Sequence, residues 1–195
     1  MDPRLSQTST ALENGQTSTI INGYDPTVPY NSLTDVYQYD YAGALLRHTQ
    51  TNFVKTLNGT DYTGTNIQNP NSPYMRDLPS QVSVFDAFGE RSRTSFEYDN
   101  YAGTNHAALV ARSGISGLDS SFTASYSFRG NPTGVTRYLL TGGVVTGSVS
   151  TYAQYDVAGN VVASIDARGN ASILQYPDCY GDRTAKLAQT APRLN

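Results

Sequence analysis

The sequence predicts an all-β fold, an antiparallel meander of hairpins with at most one short helix. Three observations predict it. Charged residues are 15% of the chain, against about 25% in an average soluble domain, while 15 tyrosines and 17 glycines are spread over 195 residues. Few Lys and Glu with many Tyr, Thr and Gly describe strands broken by turns, not a helical bundle. Short apolar or aromatic runs alternate with turn signals along most of the chain. Finally, Asp-x-x-Gly recurs as an internal repeat.

The elements follow in order. Residues 1–19 are polar and aperiodic, which predicts a poorly structured lead-in or a broken-off strand. From residue 20 to 180 the chain carries the repeats. Asn22-Gly23 and Asp25-Pro26 mark turns, and Val36 to Tyr39 lead as a strand into Asp40-Tyr41-Ala42-Gly43, with a second extended run over 44–49. Residues 53–62 read as a separate hairpin around Asn58-Gly59, a dipeptide that suits a type I′ turn because both residues tolerate positive φ. Pro70, Pro73 and Pro79 make 63–80 an inserted loop, since each proline removes a ladder donor.

Residues 82–85, the turn Asp86-Ala87-Phe88-Gly89 and residues 90–98 form the next strand–turn–strand. The one plausible helix is 105–112, with Asn105 as N-cap and Gly114 as its stop. Strands are expected again at 122–128, 137–140, Val144-Val145 after Gly142-Gly143, and 148–155. Residues 181–195 abandon the Tyr/Thr pattern and read as a non-repeat tail of a truncated chain.

The repeat carries most of the information. Asp-x-x-Gly occurs at Asp40/Gly43, Asp86/Gly89, Asp156/Gly159 and Asp166/Gly169. An aromatic precedes the first three: Tyr39, Phe85 and Tyr155. Tyr98-Asp99 starts a fifth copy whose glycine, Gly103, stands one position late. Asp at the start of such a turn accepts a backbone N–H two residues on, and Gly at its fourth position supplies the left-handed conformation that reverses the strand. The aromatics at alternate positions, Tyr37 with Tyr39 and Phe96 with Tyr98, share one strand face. In the cleanest copy, Tyr155-Asp156 with Gly159-Asn160 is followed by an apolar strand, then by Asp166 with Gly169-Asn170 and a strand ending at Tyr176.

This stretch, 155–176, resembles the YD-repeat family of bacterial Rhs proteins, toxin-complex shell subunits and teneurins; 39–47 and 85–93 match the first half of the repeat, and 96–103 matches loosely. The resemblance implies a strip of a β-sheet shell, a secreted or cell-surface structure that encloses and delivers a C-terminal toxin or mediates contact between cells. The implied partners are the rest of the parent shell and its enclosed toxin. The Asp-Pro-x-Gly motif that ends the family's shell-closing segment is absent: neither Asp2-Pro3 nor Asp25-Pro26 is followed by that glycine.

Other functions find little support in the residues. A net charge of -3, from 13 basic and 16 acidic residues, gives no basic track for a nucleic acid. No apolar run approaches the roughly 20 residues of a membrane-spanning helix. His48 and His106 are the only histidines, and no Gly-x-Ser-x-Gly elbow accompanies them, so no catalytic residue is assigned and the chain is not read as an enzyme. Cys179 is a lone thiol. The repeated aspartates are better explained as turn formers than as metal ligands, and no cofactor is expected. The tyrosines are read as cross-strand packing. The rival reading is a secreted β-rich module that binds a carbohydrate or a surface protein through exposed tyrosines such as Tyr37 or Tyr74 and the 63–80 loop.

Overall fold

The computed structural model describes residues 3–27, 30, 32–64, 72–112 and 119–175, and every regular element among them is a strand. In chain order these are β1 (Gln7–Ala11), β2 (Thr17–Tyr24), β3 (Leu33–Tyr39), β4 (Leu45–Phe53), β5 (Thr56–Leu57), β6 (Thr60–Asp61), β7 (Pro79–Asp86), β8 (Gly89–Tyr98), β9 (Pro132–Thr141), β10 (Val144–Tyr155), β11 (Val161–Ile165) and β12 (Ala171–Ile173). Ten of them follow one another in a single sheet, β1-β2-β3-β4-β7-β8-β9-β10-β11-β12. The fold is an antiparallel meander, as the turn signals predict. The β5–β6 pair stands apart as the expected Asn58-Gly59 hairpin, with φ of 48° and 79° at its two central residues.

Four expectations are corrected. The 1–19 segment, read as a poorly structured lead-in or a broken-off strand, contains β1, a strand paired in the sheet, whose Thr8 and Thr10 face Ile20 and Ser18; a strand of alternating Thr and Ser needs no apolar face when its neighbour supplies the ladder. Residues 105–112 form no helix, because Val110 gives its amide and carbonyl to the β10 turn. Residues 122–128 are not a strand: turns close at Asp119 and Thr123, and the aromatics of the segment cover Arg129 instead. The inserted loop ends earlier than predicted, since Pro79 opens β7 at a bulge opposite Phe53, a position where its missing N–H costs no ladder bond. Cys179, Tyr176 and the 181–195 tail lie outside the described residues.

The chain divides into two units. The first comprises residues 1–95 and 137–148. Its sheet is lined across β3, β4 and β7 by a ladder of register partners, Tyr37, His48 and Phe85. Their rings stack at centroid distances of 4.0 and 5.2 Å. Asp35, two residues before Tyr37 on the same face, meets His48 Nε2 at 2.7 Å. Buried apolar side chains are scarce in this unit: of the described residues only Val54 and Tyr62 qualify, both around the β5–β6 excursion.

The second unit comprises residues 96–136 and 149–195, and the core sits there. Tyr98, Leu109, Tyr155, Val157, Val162, Ala163 and Ile165 are buried. Ile165 is 1% exposed, and burying such a side chain is worth about 1.5–3 kcal/mol. Leu109, Tyr155 and Val157 form a cluster flanked by Tyr101, Ala153 and Val161. The apolar residues of β3 and β4, such as Leu33, Val36 and Leu46, are half-buried or exposed, whereas Val162, Ala163 and Ile165 of β11 are buried.

Candidate functional site

The chemistry-bearing residues of this chain are the repeat aspartates, and three of their turns are built alike. Asp40, Asp156 and Asp166 each accept the amide two residues on, from Ala42, Ala158 and Arg168, at 2.8, 2.9 and 2.8 Å. The same Oδ1 takes the amide four residues on, from Ala44, Asn160 and Asn170, at 2.8, 2.9 and 2.8 Å. In return the Asp amide donates to the carbonyl of that fourth residue, and the glycine amide donates back to the Asp carbonyl. Gly43, Gly159 and Gly169 have φ of 82°, 81° and 85°, a conformation that glycine adopts without cost. Asn160 and Asn170 add a side-chain donor to the carboxylate, at 3.0 and 2.8 Å. Donation from Asn170 is the main reason that the Asp166 carboxyl sits below its ordinary pKa.

Asp86 makes a tighter variant. It pairs directly with Gly89, so only Ala87 and Phe88 form the loop. Oδ1 still accepts the Phe88 amide at 2.8 Å, but Oδ2 binds Arg91 Nε at 2.7 Å, and Arg91 is the chief cause of the carboxyl's lowered pKa. Phe85, before it, is a member of the ring ladder, and Tyr39 occupies the equivalent place before Asp40.

The fifth copy differs most from expectation. Gly103 is not its glycine. Asp99 instead gathers the amides of Arg129, Gly130 and Asn131, at 2.9, 2.7 and 2.9 Å. The Asp99 amide donates to the Asn131 carbonyl at 3.0 Å, the same closing bond that Asp156 makes to Asn160. Gly130 has φ of 69° and β9 starts at Pro132, directly after Asn131. Asp99, Phe128, Arg129, Gly130 and Asn131 therefore compose one Asp-x-x-Gly-Asn turn, opened after its first residue to admit residues 100–127. The signal was present in the sequence: Arg-Gly-Asn stands at 129–131 and again at 168–170. A search for contiguous repeats passes over it. Asp99 has φ of 53°, the deviation that lets the chain leave the turn there.

The inserted segment folds back on the next repeat. Val110 donates to the Tyr155 carbonyl and accepts from the Val157 amide, both at 3.0 Å, which places it parallel to Asp156. Arg112 forms an ion pair with Asp156, whose side chain is fully buried. Arg129 binds three carbonyls, of Tyr126, Val157 and Thr123, at 2.9, 2.6 and 2.7 Å, beneath the rings of Phe122 and Tyr126. Tyr101 donates to Asp99 at 2.7 Å and accepts from Asn131 Nδ2 at 3.0 Å. Burial, and then the bond to Asp99, pushes the Tyr101 hydroxyl far above its ordinary pKa. The same burial raises Tyr155, whose hydroxyl donates to the Pro132 carbonyl at 2.9 Å.

His106 is held in this segment with each ring nitrogen facing an oxygen: Nδ1 lies 2.8 Å from the Thr104 carbonyl and Nε2 lies 2.7 Å from Glu97. Its ring meets Tyr152 edge-on at 5.0 Å. Gly134 makes this possible, because a Cβ there would lie 2.8 Å from Glu97 Oε2 and 3.4 Å from Tyr152 Cδ1. These groups position a loop. Neither histidine faces a serine or cysteine nucleophile in any contact described, and His48 is engaged by Asp35 and by rings on both sides. Among the described residues no three His, Cys, Asp or Glu side chains gather to hold a metal ion.

No family model and no curated protein matches this chain. The repeat turns and the loop that one of them carries are thus the basis for any functional reading.

Proposed function

We propose that this chain is a strip of an Rhs-type YD-repeat β-shell, a structural wall whose parent protein encloses and delivers a toxin or makes contact at the cell surface. The observation that carries the reading is the recurrence of one hydrogen-bonding scheme at Asp40, Asp156 and Asp166, and across the interrupted turn of Asp99. A single domain with a compact core needs no such repetition. A wall that extends by adding hairpins does, since each repeat must present the same edge to the next. The scarcity of buried apolar side chains in the first unit supports it as well, because its sheet relies on Tyr, Thr and Gln that tolerate water on one face. In this reading the partners are further repeats and the enclosed chain, the site is secreted or surface-exposed, and catalysis belongs to the cargo.

The ring ladder weighs against Tyr37 as a sugar platform: its face lies 4.0 Å from His48 at 7° between planes, so it is already stacked.

The test is to read the DNA that flanks this frame, express the complete protein and image it by electron microscopy. Further Tyr-Asp repeats and a hollow particle are expected. A complete protein that lacks further repeats and forms no enclosed volume overturns the proposal.

A further inference from the structure

A second surface, in the first unit and independent of the repeats, carries chemistry of its own. Tyr74 has φ of 56°, in the left-handed region that bulky side chains avoid at a cost on the order of 1–3 kcal/mol. Yet its side chain is not hidden: Tyr74 is 57% exposed. The ring rests on Gly64, where an added Cβ would come within 2.5 Å of Tyr74 Cδ1 and Cε1. The floor beneath is firm. Tyr62 and Thr63 are buried, the Met75 amide donates to the Tyr62 carbonyl, and Ser72 Oγ donates to the Asp61 carbonyl at 2.8 Å. A strained residue on a rigid support, spent on holding a ring in water, is a pattern of binding surfaces.

Arg76 completes it. Nε donates to the Thr63 carbonyl at 2.7 Å, and the guanidinium lies 4.8 Å from the Tyr30 ring centroid and 5.6 Å from that of Tyr74. Rings against a guanidinium leave its in-plane edge available to an acceptor, and Nε is already committed, so that edge is the Nη1–Nη2 pair. Among the described residues no carboxylate lies within ion-pair distance of Arg76, whereas Arg91, Arg93 and Arg112 each have one. The result is a fixed cationic fork beside an exposed aromatic ring.

We propose that Tyr74, Arg76 and Tyr30 form a binding site for an acidic saccharide, a pyranose bearing a carboxylate. The carboxylate takes the Nη1–Nη2 edge in the planar geometry that guanidinium favours. The apolar face of the sugar ring lies against Tyr74. A neutral sugar satisfies the ring alone and leaves the fork empty.

The test uses the full chain and calorimetric titration with trigalacturonate and sialyllactose, beside neutral maltotriose and lactose. Saturable binding of an acidic probe, roughly tenfold or more tighter than its neutral counterpart, is expected from a charge-assisted bidentate contact. Arg76→Gln is expected to erase that preference and Tyr74→Gly to weaken binding, while Arg47→Gln, at an exposed arginine elsewhere, leaves it unchanged. Circular dichroism identifies any variant that fails to fold. The wild-type comparison stands without the variants: no saturable binding of either acidic probe, or equal binding of acidic and neutral sugars, overturns the proposal. So does a folded Arg76→Gln protein that keeps the preference.

Discussion

The carboxylate of Asp99 accepts the backbone amide of Asn131 at 2.9 Å, across 32 positions of sequence, in the bond that Asp156 makes to Asn160 across four. A turn of five residues has thus been opened to admit residues 100–127 and closed again on Asp99's bonds to Arg129 and Asn131.

The first expectation concerns that closure. Asp99→Ala leaves the amides of Arg129, Gly130 and Asn131 without their acceptor in a site where Asp99 is 7% exposed. A loss of about 2–4 kcal/mol is expected in urea unfolding. Replacing residues 100–128 by one alanine restores a contiguous Asp-Ala-Arg-Gly-Asn turn. The β signature in circular dichroism should then survive, with a lower melting temperature because Leu109 is gone from its cluster. Collapse of the β signal would show that the segment is not an insertion.

Gly169 tests the turn geometry alone. No atom lies within 4 Å of where its Cβ would be, so substitution strains only the backbone at φ of 85°. Gly169→Val is expected to cost about 1–2 kcal/mol or more and Gly169→Asn much less, since Asn tolerates that region. Equal melting temperatures for the two variants would contradict the assignment.

Gly134→Ala isolates the packing around His106. The new methyl would displace the Glu97 carboxylate from 2.8 Å, and with it the contact to His106 Nε2. Chemical shifts of the His106 ring should move toward free-imidazole values while those of His48 stay in place.

The ladder across β3, β4 and β7 offers a further check. His48→Ala removes stacking on both Tyr37 and Phe85 as well as the bond to Asp35. Each aromatic pair is worth about 0.5–1.5 kcal/mol, so a loss of about 1–3 kcal/mol is expected from thermal unfolding.

Acid should destabilise the protein below the usual carboxylate range. Donation from Lys55, then from Thr27, lowers the Asp25 pKa to about 2. Arg91 lowers Asp86, Arg93 lowers Glu90 and Asn170 lowers Asp166. Each group is depressed in the folded chain, so its contribution is full above the unfolded value of about 3.9–4.3 and is lost as pH falls through the folded one. Denaturant midpoints should be level above that value and fall toward pH 2. Lys55→Met should lower stability above the carboxylate range and shrink that fall, because Asp25 loses the largest cause of its depressed pKa.

Sequence alone determined the strand-and-turn character of this chain and the sites of four reversals. Both are local: Asp finds its amides two and four residues away, Gly supplies its own backbone freedom, and alternation sets a strand's faces. Asn58-Gly59 was legible for the same reason. Tertiary structure decided the rest. His-Ala-Ala-Leu-Val-Ala at 106–111 has helical propensity, but Val110 found a better partner for its backbone in the Asp156 turn. Phe122 and Tyr126 have strand propensity, but they cover a guanidinium. Gly130 stands far from Asp99 in sequence, and only the folded chain brings them within 2.7 Å. A hydrogen bond between distant residues leaves no periodicity to read, and neither does the close approach of the Tyr74 ring to Gly64.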